Sequence, residues 1–131
     1  MPKVSAAFFA VGVLCALIGM LAGMHMGASA DMRLMPAHAH LNLLGWVTMA
    51  LYGTFYALTR DTYSPRLAWA NFIVATLSIL VLLPALSLFL LNANDPKYVP
   101  VMITGEVLTV LGMVIFAISV VRELARKRVA A

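Results

Sequence analysis

Four apolar stretches, each near the length that crosses a lipid bilayer, fill almost all of this 131-residue chain. They cover residues 4–26, 37–58, 67–91 and 100–121, and a spanning helix needs roughly 20 apolar residues. In hydrocarbon the backbone has to satisfy its own hydrogen bonds, so stretches of this length fold as helices. With 63% of residues hydrophobic and 11% charged, the chain falls outside the range of soluble domains. The pattern predicts an all-α fold: an integral membrane four-helix bundle, one domain over residues 1–131, sitting in the lipid bilayer. Almost nothing remains for a soluble domain, so any chemistry has to lie inside the bundle or at its rims.

The charges orient the bundle. With the N-terminus inside, Lys3, Arg60, Arg66, Arg122, Arg126, Lys127 and Arg128 lie inside, and only Arg33 and Lys97 lie outside. This asymmetry predicts an N-in/C-in, multi-pass protein of a bacterial-type inner membrane. The basic tail then reads as an orientation signal and a contact for anionic lipid. A short basic cluster beside a span argues against nucleic acid as a partner. Lys3, the apolar run and Ala28-Ser29-Ala30 imitate a secretory signal, but the run exceeds the usual signal core, and a retained helix is predicted. Cys15 is the single cysteine, which excludes an intrachain disulfide and a paired-cysteine metal motif. It reads as a small packed side chain.

Small and polar residues mark which faces meet protein. Gly19, Gly23 and Gly27 recur at four-residue spacing, with Cys15 one step earlier. Such a stripe lets another helix, or a flat cofactor, approach the backbone closely, and helix packing is the favoured reading. His25 lies on the other side of that helix from Gly23. The second stretch separates into two stripes on a helical wheel. His38, Asn42, Gly45, Met49, Tyr52 and Tyr56 form a seam suited to protein or cofactor. His40, Leu44, Val47, Leu51 and Leu58 form an apolar wall with one imidazole at its rim. Pro36 suits a helix start, and Pro84 predicts a kink in the third helix. Trp69 and Tyr98 read as interfacial anchors.

The segment His38-Ala39-His40-Leu41-Asn42-Leu43-Leu44-Gly45-Trp46 places two imidazoles at the mouth of an apolar stretch. An ionisable ring at membrane depth calls for a partner. Successive helical residues turn by about 100°, so the two rings point roughly 200° apart. That geometry predicts that each ring reaches a different partner, on opposite sides of one helix, rather than one metal together. Glu106 lies roughly 9 Å into the fourth stretch, counted from Pro100. The topology puts His25, His38, His40 and Glu106 toward the same, outer side, from three different stretches. That convergence predicts a site. A haem iron takes imidazole ligands inside helical bundles. Asn42 and Tyr52 are candidates to hydrogen-bond such a group, and Trp46 to pack on its edge or sit in the bilayer.

His38-Ala39-His40 followed by Leu44-Gly45-Trp46-Val47 resembles the tenth helix of the catalytic subunit of haem–copper oxidases, closest to the cbb-type oxidases and nitric oxide reductases. The resemblance covers roughly 15 to 20 residues, about one helix. It implies that His38 matches the position ligating the high-spin, gas-binding haem, and His40 the low-spin haem ligand on the opposite face. The family's catalytic subunit has twelve helices in three pseudo-symmetric arcs, against four here. It also has three further copper-site histidines that this chain lacks. Complete oxidase activity is therefore not expected. The resemblance implies that a four-helix chain corresponds to one arc, and that a homotrimer or other homo-oligomer supplies the rest.

The resulting expectation is a membrane protein binding haem b near the outer face, with an electron-transfer or O2/NO-related role and a respiratory electron donor as partner. His40 is the first-choice axial ligand, with His38 and His25 as candidate partners. Asn42 and Glu106 are candidates to hydrogen-bond the ligand or a haem propionate. Two other readings stand beside it. One is a transition-metal protein, copper or zinc, binding or transporting through the three histidines. The other is a structural or assembly subunit of a respiratory complex with incidental histidines.

Overall fold

Prolines open three of the long helices: Pro36, Pro65 and Pro100 each occupy a first turn, where a missing N–H leaves no intrahelical bond unmade. The computed structural model describes residues 1–126. They form α1 (Lys3–Ser29), α2 (Met35–Leu58), α3 (Pro65–Leu91) and α4 (Val99–Ala125). A 3-10 turn, Pro96–Tyr98, leads into α4. There is no strand among the described residues. All four helices are long and apolar enough to cross a membrane. Each begins before its expected apolar stretch, and α1 and α4 run past theirs, because polar residues such as Ser29 and Arg122 continue the ladder. Lys127 and Arg128 of the basic tail lie outside the described residues.

α1 ends where Ala30 turns left-handed, with φ at 55°. In the following loop Arg33 donates to both carboxylate oxygens of Asp31, one through Nη2 at 2.7 Å. Those bonds hold the Asp31 carboxyl down at about 2. At the far turn the Asp95 carboxylate accepts from the Lys97 backbone N–H at 3.0 Å and pairs with the Lys97 ammonium at 2.9 Å.

α2 departs from the expected regular wheel. Its middle, Leu41–Thr48, is wound as a π-helix, and Thr48 Oγ1 donates to the Leu43 carbonyl five residues back at 2.8 Å. Such turns are rare and occur often at functional sites. The expected seam survives this change of winding: Gly45, Met49, Tyr52 and Tyr56 are buried, and His38 and Asn42 half-buried. The opposite wall also holds, with Val47, Leu51 and Leu58 exposed.

The helices make two antiparallel hairpins, α1 with α2 and α3 with α4. The end carrying the α1–α2 loop is the histidine end; the other is the tyrosine end. At the tyrosine end Phe8, Tyr52, Tyr56, Phe72 and Phe116 join all four helices, with Tyr52 and Phe116 ring centres 4.5 Å apart. A polar chain runs through the same layer. Asn71 Nδ2 donates to Tyr56 Oη at 3.3 Å, and Tyr56 and Ser119 hydroxyls meet at 3.1 Å. Thr62 Oγ1 donates to Glu123 at 2.8 Å, closing α4 over the α2–α3 loop. α3 runs as one helix through Pro84. The proline ring lines an apolar cleft of about 310 Å³ between α1, α2 and α3 at the histidine end.

Candidate functional site

The α1–α2 seam is built from small residues set against polar ones. A methyl group placed on Gly23 would meet the His38 ring at 3.1 Å, and one on Gly12 would meet the Trp46 indole at 3.2 Å. Gly19 lies directly under the Asn42 side chain, and Gly45 takes Cys15 in the same way, so that a methyl there would approach Cys15 Cβ to 2.7 Å. The stripe on α1 is therefore Gly12, Cys15, Gly19 and Gly23. Gly27, expected to continue it, has nothing within 4 Å of an added methyl. The favoured packing reading of these small residues accounts for the close contacts at Gly12, Gly19, Gly23 and Gly45.

His38 and His40 emerge on different sides, as the spacing predicts, and their environments differ sharply. His38 is half-buried against α1. Asn42 Nδ2 lies 3.1 Å from His38 Nε2 and donates to it, which leaves the ring proton on Nδ1. That Nδ1 is buried and has no partner among the described residues. The His38 ring also forms part of the wall of the Pro84 cleft, with Ile18, Leu41 and Leu83.

His40 is exposed. Its Nδ1 lies 2.8 Å from the Pro36 carbonyl oxygen. A carbonyl only accepts, so Nδ1 carries the proton and Nε2 keeps its lone pair. Metal-bound histidines commonly donate their other ring N–H to a backbone carbonyl, which fixes the tautomer and the ring plane. His40 has that arrangement already built into one helical turn, with Nε2 directed away from the seam. The exposed wall around it is apolar: Leu43 is 60% exposed and Leu51 62%.

His25 is exposed near the end of α1, and Glu106 is exposed on α4. All four expected residues thus lie at the histidine end. They do not converge within one chain: among the described residues no three His, Cys, Asp or Glu side chains are close enough to hold one metal ion. Asn42 is committed to His38 and the Gly19 contact. Trp46 packs on α1. Tyr52 is buried toward the tyrosine end, where its hydroxyl reaches Met113 Sδ at 3.8 Å. The π-turn and the Pro36–His40 bond escaped sequence reasoning. Pro36 four residues before His40 is the one signal for the bond, since a helical i, i+4 spacing brings that carbonyl under the ring.

No protein-family model matches this chain, and neither a curated protein nor a solved structure does.

Proposed function

We propose that this chain is an inner-membrane, b-type haem-binding protein with a role in electron transfer or in handling O2 or NO. The carrying observation is His40: an exposed imidazole, its Nδ1–H tied to the Pro36 carbonyl, its Nε2 free, on an apolar face. These residues fit an axial haem ligand. Bound there, a haem supplies a one-electron couple and, where its sixth position is open, a site for a diatomic gas. The apolar residues Leu43, Val47 and Leu51 offer a wall against the macrocycle and exclude water from one side.

His38 suits the opposite duty less well in this arrangement, because Asn42 occupies its Nε2. Its role is to lock the α1–α2 seam that presents His40. In a homo-oligomer, a homotrimer being the form the family resemblance implies, His25 of a neighbouring copy would be the candidate to hold the haem together with His40. With haem in place, Glu106 would be released to hydrogen-bond a propionate or a bound ligand.

Haemin titration of the detergent-purified protein tests this reading. The expected result is a saturable Soret band and parallel quenching of Trp fluorescence, both lost on His40→Ala; retention of both on His40→Ala overturns the assignment of His40. A wild-type protein that takes up no haemin overturns it.

A further inference from the structure

We infer that the exposed face of α4 is a contact surface for a second copy of this chain, and that Glu106 of one copy meets His40 of the next. Glu106 lies seven residues into α4, about 10 Å along its axis, among apolar neighbours. It is exposed, and among the described residues it takes part in no side-chain hydrogen bond or ion pair. Around it Ile103, Val107, Val110 and Val114 are exposed by 52%, 60%, 64% and 49%. Together with Leu111 the carboxyl lines a shallow depression of about 490 Å³ along the helix.

A lone carboxyl on an apolar face at membrane depth is expensive, and such residues pair with one another or with other polar groups. The chain carries a matching base toward the same end of the bundle, on a different helix. His40 lies five residues into α2, about 7.5 Å along its axis, exposed and with Nε2 unengaged. Its face is apolar like that of α4. Setting α4 of one copy against α2 of the next brings acid and base together at that end. Setting like face on like face would oppose two carboxyls or two imidazoles. The contact is heterologous, so repetition closes a ring when the rotation permits. α4 is free for it. α4 packs on α3 through Gly105 and Gly112 and touches α2 near the tyrosine end through Phe116 and Met113.

This pairing belongs to the haem-free protein: a haem iron and the second copy's Glu106 would compete for the one unengaged nitrogen of His40, so the contact goes beyond the haem reading and does not depend on it. Disulfide cross-linking in native membranes tests it without touching either residue. In a Cys15→Ala background, one tagged chain carries Leu43→Cys beside His40, and a differently tagged chain carries Val107→Cys beside Glu106. Oxidation is expected to give the mixed dimer several-fold above either same-variant dimer. Adding Glu106→Leu to the second chain should cut the mixed dimer several-fold, while Glu106→Gln, whose amide still donates to Nε2, should retain most of it. Predominant Val107→Cys same-variant dimers, no cross-link, or a yield indifferent to Glu106→Leu overturns the inference. Because His40 remains intact, haem uptake is read on the same samples, and the two readings succeed or fail separately.

Discussion

At His40 one hydrogen bond decides which nitrogen is available, and two residues earlier another bond decides the opposite. The Pro36 carbonyl takes the His40 Nδ1 proton and leaves Nε2 facing outward; the Asn42 amide occupies His38 Nε2 on the seam side. The account predicts a corresponding split between variants. His40→Ala should abolish haem uptake while leaving the thermal midpoint close to wild type. His38→Ala should keep uptake but lower the midpoint, because it empties a ring-sized space against Gly23. Equal loss of haem in both would contradict the assignment. The Asp31–Arg33 pair yields a second prediction. The guanidinium holds the Asp31 carboxyl at about 2, below its unfolded value, so the pair's contribution is present above the ordinary carboxylate range and is lost as pH falls toward 2. An NMR titration should place the Asp31 midpoint there, and Arg33→Gln should return it upward toward the ordinary 3.8.

Among the elements, apolar length alone determined the number of helices, and small residues determined their contacts. Gly105 brings α4 onto the α3 backbone so closely that an added methyl would lie 2.8 Å from Leu82 Cα. Gly105→Val should therefore destabilise the bundle by about 1–3 kcal/mol, measured as a drop in unfolding midpoint in detergent. Gly27→Ala, which meets nothing within 4 Å, should leave it unchanged. The wheel of the second stretch was legible because burial needs only the 3–4 spacing of His38, Asn42, Gly45, Met49, Tyr52 and Tyr56. The π-turn at Leu41–Thr48 was not, since its residues have no distinct preference for i→i+5 bonding. The convergence of four side chains was legible only as a shared end of the bundle. Hydropathy gives depth along a helix, whereas a face depends on how the helices rotate against one another. That rotation turned Asn42 inward and left Glu106 on the outer surface of α4.

For the molecule as a whole, the unequal charges predict its orientation. A reporter fused after Ala131 should read cytoplasmic, and a tag in the Asp31–Leu34 loop should be reachable from the outside. The opposite pattern would move the histidine end to the cytoplasmic face and with it the exchange partner of any haem. The exposed apolar faces of all four helices suit lipid, but ionisable groups on those faces, such as His40 and Glu106, do not. Oligomerisation around them gives the whole molecule a reason for its uneven exposure. The measurement that bears most directly on the central claim is the visible spectrum of the purified protein, oxidised and then reduced with dithionite, with carbon monoxide added last. The account predicts sharp reduced b-type bands, unmoved by carbon monoxide if a second copy's imidazole fills the sixth position and shifted if that position is open. A protein that remains colourless after haem supplementation would contradict it.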